Sequence, residues 1–528
     1  MVQTESPSVE APAESSTPVR SRPLRIGAAV TVVAVAAAAV LLVRLGRQQA
    51  DGPAHVELEI GDGIPATLYV PGEVFDKDME ELPDPKPVGQ RPPVIVLAHG
   101  FSADRALMST MARSFTAAGY AVVAFDFRGH GGNRNAFPEG RGEGLRRDLD
   151  AVVDWTETTA QVDPKRLVVM GHSMGAAAAL DFATHDARPR AVVPISGSTL
   201  LDGPIVPKQA YLIAASGDPK GILDGNERVE STLVAGGATV ERSVVSGTDH
   251  ITILYSGEAV RRIVAFTDGV LGLDRDTPAG LADARLGTSG LYLLVVLVLI
   301  GALGFGVARL APAGAQVEPA GWGRDVGLVF AAFFLTMPLL ALGSPFAFLP
   351  IVIGDVQAAL FFIAGGAVLL YDHLRGRRWQ FGAELRTAAP AIAIAVLGLY
   401  LLLSPFGQVF HRLVPTPARF VLAVVLGALY FPFVLVLERA TRRGAPVRAG
   451  FTAALGKVLL LVAMFVGVQL RLLPFVLVLI LPLLAGLFIL FEIFAGTAYR
   501  RSRNLVLIAA VQAVMLGWIS AAAMPITL

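Results

Sequence analysis

Arg166-Leu-Val-Val-Met-Gly171-His172-Ser173-Met174-Gly175-Ala-Ala-Ala-Ala-Leu180 decides the fold. The Leu-Val-Val-Met run reads as a buried strand and the alanine run as a helix, with Gly-x-Ser-x-Gly at the join. A serine at so sharp a turn sits in strained backbone, and glycines two residues to either side remove Cβ atoms that would clash. The new helix points its free N–H groups and positive dipole end at the space before Ser173, where an oxyanion would be stabilised. In a chain with 54 glycines the bare pattern arises readily by chance; the flanking strand and helix give it meaning.

Working outward, apolar runs recur at Val94 to Ala98, Tyr120 to Phe125, Ala191 to Ile195, Ala210 to Ala214 and Ala238 to Val245, mostly separated by stretches of helical composition. His55 to Ile60 and Ala66 to Val70 flank Gly61-Asp-Gly-Ile, a hairpin pattern. Buried strands alternating with helices predict a doubly wound, mainly parallel sheet over residues 53–285.

A serine nucleophile needs a base, and the base needs an orienting carboxylate. His250 follows Ser173 within this stretch, just beyond a strand, and is the expected base. Asp218, at the carboxyl tip of the strand before it, is the expected acid, with Asp202, Asp224 and Asp249 as rivals that suit turns or caps. Val94 to Ala98 runs into His99-Gly100-Phe101, a strand exit that would bring the Phe101 and Met174 amides to one oxyanion. His99, Gly100, Gly171, His172 and Gly175 are then expected to shape the site without reacting. The loop Asp126-Phe-Arg-Gly-His130-Gly-Gly132 is expected to border it.

From about His55 to Phe266 the chain resembles the α/β-hydrolase family, near its dienelactone-hydrolase and prolyl-oligopeptidase-like branch. The motifs are His99-Gly-Phe, Asp126-Phe-Arg-Gly-His-Gly, Gly171-His-Ser-Met-Gly, Gly217-Asp218 and Asp249-His250. The family order of serine, acid and histidine is met. The resemblance implies an acyl-enzyme mechanism on carboxyl esters, with a serine peptidase or an acyltransferase as alternatives. A transporter or scaffold carrying a hydrolase-like binding module is the competing class. The stretch between Ile195 and Ala210 is too short for the helical cap of many esterases, so the membrane part is expected to serve as lid or acyl channel, near Ser344-Pro-Phe346 and Ser404-Pro-Phe406.

Composition divides the 528 residues in two: 54% are hydrophobic and only 16% charged. From Gly290 onward there are 7 acids and 17 bases, which leaves 36 acids and 27 bases of the totals of 43 and 44 for the first 289 residues. A wholly soluble enzyme is excluded. Residues 1–23 read as a disordered tail and 24–43 as an uncleaved transmembrane anchor. Residues 290–528 hold apolar stretches for about eight transmembrane helices, at 290–309, 326–343, 348–371, 388–406, 418–437, 451–468, 474–495 and 505–525. Alternate loops hold thirteen arginines on one side against Arg412, Arg419 and Arg471 on the other. The positive-inside rule then makes a multi-pass cell-membrane protein with a cytoplasmic N-terminus and an extracytoplasmic α/β domain.

Asp355, Lys457, Gln469, Arg471, Glu492 and Gln512 are polar positions in or near the spans, where function or snorkelling would explain them. No cysteine is present, so covalent chemistry falls to oxygen or nitrogen. No cofactor fingerprint or metal-ligand spacing accompanies the motifs, so neither is expected. The expected partners are a small-molecule or lipid acyl substrate and membrane lipids, not nucleic acid. The sequence leaves the oligomeric state open.

Overall fold

A computed structural model describes residues 22–74, 86–138, 141–201, 203–275, 280–314, 317, 321–340, 342–377 and 381–527. The expected tail at 1–23 lies almost wholly outside them, as does the rival acid Asp202; the first helix, α1, starts at Arg22 and ends at Ala50.

The eight strands are β1 (Pro53–Ile60), β2 (Ile64–Val74), β3 (Pro93–Ala98), β4 (Ala121–Phe125), β5 (Asp163–His172), β6 (Ala191–Ile195), β7 (Gln209–Ala215) and β8 (Thr239–Val245). They form one sheet in the order β1-β2-β4-β3-β5-β6-β7-β8. β1 and β2 pair antiparallel, as do β2 and β4, and the rest are parallel. Gly61 and Gly63 take φ of 52° and 79° in the β1–β2 turn, where side chains are disfavoured. The helices α2 (Ser109–Ala117), α3 (Arg141–Thr158), α4 (Met174–Ala183), α5 (Lys220–Ala235) and α6 (Gly257–Leu271) follow β3, β4, β5, β7 and β8. β3, β4 and β6 are buried along their whole length, and separate apolar clusters fill the two faces of the sheet. That burial is why these strands read as continuous apolar runs instead of alternating ones.

The C-terminal region is helical: α7 (Arg285–Val307), α8 (Trp322–Leu340), α9 (Gly354–Leu374), α10 (Phe381–Leu403), α11 (Pro417–Thr441), α12 (Pro446–Gln469), α13 (Val476–Ser502) and α14 (Leu505–Ala523). With α1, nine helices among the described residues are long and apolar enough to cross a membrane. α14 is the most enclosed, with 89% of its apolar window buried, and it packs along α11. Lys457, Glu492 and Gln512 do not stand alone: Glu438 accepts from Lys457 at 2.6 Å, Arg442 at 2.5 Å and Gln512 at 2.9 Å, and Arg442 also pairs with Glu492 at 2.8 Å. Two acids and two bases thus neutralise each other where an isolated charge would be costly. Glu438 lies within α11 and Arg442 caps its end.

The α/β domain rests on one end of these helices through specific bonds. Arg419, in the first turn of α11, is buried and donates to the carbonyls of Ala521 at 2.6 Å, Met524 at 2.9 Å and Gly129 at 2.7 Å. The chain after α14 continues this seam: Ile526 N–H donates to Gly129 O at 2.9 Å, and Phe137 N–H donates to Ile526 O at 2.7 Å. Ile526 also bridges to Ile351 in the α8–α9 connection.

Candidate active site

The turn from β5 to α4 has the geometry its sequence demands. Ser173 holds φ 54° and ψ −112°, with its N–H bonded to Ile195 O at 2.9 Å. A Cβ on Gly171 would lie 2.2 Å from the Gly175 carbonyl oxygen, and one on Gly175 would lie 2.6 Å from the carbonyl oxygens of Ala98 and His99. Both glycines are therefore compelled by backbone packed against backbone, which no side-chain movement can relieve.

Ser173, His250 and Asp218, separated in sequence, meet at the carboxyl edge of the sheet. Ser173 Oγ lies 3.0 Å from His250 Nε2, and His250 Nδ1 lies 2.7 Å from Asp218 Oδ1. Asp218 accepts at Nδ1, so the imidazole proton sits there and Nε2 is free to accept from the serine hydroxyl. The other carboxylate oxygen, Asp218 Oδ2, accepts from Ser196 Oγ at 2.6 Å and Ala215 N at 2.8 Å. Burial alone would raise the Asp218 pKa; the bonds from His250, Ser196 and Ala215 outweigh it and hold the group below its ordinary value. The rivals do other work: Asp249 caps the amides of Ile251 and Thr252, each at 2.9 Å, and Asp224 lies within α5.

Among the described residues, neither the Phe101 N–H nor the Met174 N–H donates a hydrogen bond, and both residues border the same cleft as Ser173. Gly100 brings the two loops together, since a Cβ there would lie 3.1 Å from Ser173 Cβ. The Phe101 ring is held edge-on by His130 and Phe137, at centroid distances of 5.8 and 6.0 Å. His99 is structural: it donates from Nδ1 to Gly100 O at 2.8 Å and accepts the Phe127 N–H at Nε2, 3.0 Å away. Burial lowers its pKa, as it does that of His130. His172 donates from Nε2 to the His250 carbonyl at 2.7 Å, and burial first, then the neighbouring His250, lowers its pKa to about 3. The Asp126 loop braces the same region: Asp126 accepts from the amides of Arg105 and Gly132, each at 2.8 Å, and pairs with the Arg105 side chain.

Three features escaped sequence reading. Ser196, with φ 48°, stands at the tip of β6 beside the acid; a polar residue directly after a central strand was the available signal. Asp104, buried in the loop after Phe101, accepts from the Ala106 amide at 3.0 Å and from the Arg412 amide of the α10–α11 connection at 2.8 Å. His411 lies 2.9 Å from Asp104 without hydrogen-bond geometry. Burial would lower the His411 pKa, but the Asp104 charge prevails and raises it. Third, the cleft of about 640 Å³ in front of Ser173 has one wall from the helical region: Ile353, Pro474, Phe475, Val476 and Leu479. The connection that begins at Ser404–Phe406 does meet the α/β domain as expected, with Val409 O accepting from the Tyr255 hydroxyl at 3.3 Å, but neither it nor Ser344–Phe346 lines the cleft. Phe406 instead packs on Tyr292 at 5.4 Å, because the α10–α11 connection docks beside Asp104, away from the cleft.

A family model described as serine aminopeptidase S33 matches residues 89–215, which hold β3 to β7 and the Gly-x-Ser-x-Gly turn. The α/β part of the chain has the α/β-hydrolase fold. This α/β domain is joined to a C-terminal helical region that the family match does not reach. Among curated proteins the chain is similar to an uncharacterized protein of Mycobacterium tuberculosis, 33% identical over 99 residues, covering 19% of this chain and 34% of the relative. It is also similar to the quorum-quenching protein AidA of Acinetobacter baumannii, 33% identical over 108 residues, covering 19% of this chain and 34% of the relative. The chain thus spans about a third of the length of the curated relatives it matches. Among solved structures, a putative dienelactone hydrolase from Klebsiella pneumoniae aligns with TM-score 0.31 and 15% identity over 40% of this chain and 97% of its own. The acylaminoacyl peptidase of Pyrococcus horikoshii aligns with TM-score 0.32 and 15% identity over 43% of each chain.

Proposed function

We propose that this protein is a membrane-bound serine hydrolase that cleaves carboxyl esters. The observation that carries the reading is the unbroken relay from Ser173 Oγ through His250 to Asp218, at 3.0 and 2.7 Å. As His250 Nε2 takes the hydroxyl proton, Ser173 Oγ bonds to the ester carbonyl carbon, and the carbonyl electron pair moves onto oxygen. The Phe101 and Met174 amides receive that oxyanion, and Asp218 stabilises the imidazolium. Collapse expels the alcohol, which takes its proton from His250. Water then enters by the same steps in reverse roles and releases the acid.

An amide substrate uses the same machinery, and the family match names an aminopeptidase. A free peptide amine would need a carboxylate in the cleft. Asp181 is the one acid bordering it among the described residues, and it already faces Arg146 at 3.5 Å. The remaining lining is mostly apolar, with Ser196, Ser198 and Thr199 as neutral polar groups, which suits an acyl chain and an alcohol better than a charged terminus. Turnover of matched acyl esters and aminoacyl amides by purified full-length protein tests this. Esters should be the faster class; faster amide turnover would make the protein a peptidase.

The arginine distribution supports a cell-membrane location with the α/β domain outside. Arg309, Arg375, Arg439, Arg448 and Arg500 fall at helix ends away from the domain, where the positive-inside rule puts cytoplasm.

A further inference from the structure

The α/β domain does not enclose its own cleft. Ser173, Met174, Ala177 and Ile222 form one side, while Ile353 and the segment Pro474 to Leu479 form the facing wall. Its volume, about 640 Å³, lies within the range of sites that take whole small ligands, about 300–1,000 Å³. Along α13, Val476, Leu479 and Leu483 recur at i, i+3 and i+7 and so share one face of the helix. The first two line the cleft; Leu483, a turn further into the span, is 62% exposed on the outer surface of the helical bundle. Phe475 is also more than half exposed, at 53%. Because α13 is long and apolar enough to cross a bilayer, such exposed side chains face lipid. The apolar lining of the cleft is therefore continuous with the lipid-facing surface of a span.

We propose that the substrate is a membrane-resident lipid ester that reaches Ser173 sideways from the bilayer. Its acyl chain lies along Val476, Leu479 and Leu483, in the leaflet nearest the α/β domain. This inference rests on the serine-hydrolase reading above and adds the substrate class. An acyl chain following this stripe leaves lipid for an apolar wall without passing through water, so its methylenes are never exposed on the way to the nucleophile. The ester's alcohol part meets Ser198 and Thr199 on the other side of the cleft, where hydroxyls can bond a polar headgroup. A site with this division favours long acyl chains over short ones, and the preference resides in the helical region.

The test uses full-length protein in phosphatidylcholine vesicles and two alkyl fluorophosphonates, one ethyl and one hexadecyl, with the labelling rate of Ser173 as the readout. Leu479→Trp fills the cleft wall, and Leu483→Gln interrupts the stripe at a lipid-facing position remote from the core. Each should lower the ratio of long-chain to short-chain labelling, Leu479→Trp by about tenfold or more. Parallel hydrolysis of a lipid ester and its short-chain analogue should show the same fall in the ratio of kcat/KM. An unchanged ratio in both variants overturns the proposal and leaves the serine-hydrolase reading standing. If Leu479→Trp fails to take even the short probe, Leu483→Gln decides alone, and an unchanged ratio there overturns the proposal. Absence of labelling of wild-type Ser173 by either probe removes the serine-hydrolase reading and this inference with it.

Discussion

The Nε2–H of His172 donates to the backbone carbonyl of His250 at 2.7 Å, so the residue just before the candidate nucleophile pins the loop that bears the candidate base. A carbonyl can only accept, which fixes the His172 proton on Nε2. Burial keeps the ring neutral, with its pKa near 3.

Burial of the His172 ring, which outweighs the opposing effect of that bond, makes stability depend on pH with a defined sign. In the unfolded chain His172 takes a proton near the ordinary value of about 6.5, whereas in the folded protein it stays neutral to about 3. The unfolded state thus binds more protons in this window. The contribution is complete above about 6.5 and is lost as the pH falls, by up to about 1.4 kcal/mol per pH unit. The depressed Asp218 works in the same direction. The thermal midpoint of the α/β domain should therefore drop between pH 7.5 and 5. His172→Phe should lower the midpoint at pH 7.5, through loss of the bond, and flatten its pH dependence. His99 and His130, also depressed by burial, keep part of the slope, and a variant with an undiminished slope would show that His172 is not among the titrating groups.

Asp218→Asn should reduce kcat on the order of 10⁴-fold by mis-setting the His250 tautomer, while Asp224→Asn should stay within about twofold. Ser196 acts through Asp218 as a positioning residue, so Ser196→Ala should lower kcat by about tenfold with little change in KM, equivalent to one lost hydrogen bond to a charged group. It should also shift the acid limb of the pH–rate profile. A Ser196→Ala enzyme with an unaltered profile would leave that hydroxyl a purely structural role.

The sheet was legible because its strands are continuous Val-Ile-Leu-Ala runs bounded by glycine, as in Val94 to Ala98 before His99-Gly100. The elbow was legible because two backbone clashes permit only glycine at 171 and 175. Ser196 was not, since its importance arises from β6 lying beside β7, a neighbour relation with no local signature. Which turn walls the cleft has no local signature either. Proline and phenylalanine occur at each outer turn of the spans, and only packing decides that the turn at Pro474 and Phe475, and not the one at Pro405 and Phe406, meets Ser173. Glu438 and Arg442 carry no local sign of burial; it follows from how α12, α13 and α14 surround the end of α11.

Arg419 joins the two parts of the molecule, so Arg419→Ala should strip donors from the carbonyls of Ala521, Met524 and Gly129 at once. The expected loss is on the order of 3 kcal/mol at the seam. Limited proteolysis should then cut the Gly129 to Phe137 loop faster, while the helical region stays folded. Equal protection of that loop in variant and wild type would mean the seam does not depend on Arg419.

Single cysteines introduced at Ser231, on the exposed face of α5, and at Val447, exposed in the first turn of α12, test the orientation in a chain that has no cysteine of its own. With an impermeant maleimide on intact cells, Ser231→Cys should label and Val447→Cys should be protected. The reverse pattern would put the hydrolase domain in the cytoplasm.

The most direct measurement is labelling of purified full-length protein by a fluorophosphonate, which forms a stable phosphonyl bond only with an activated serine. Wild-type protein should incorporate one probe per chain at Ser173, with none in Ser173→Ala and a rate reduced by several orders of magnitude in His250→Ala. Undiminished labelling of Ser173→Ala, or wild-type labelling that is indifferent to His250, would contradict the assignment of Ser173, His250 and Asp218 as the catalytic groups.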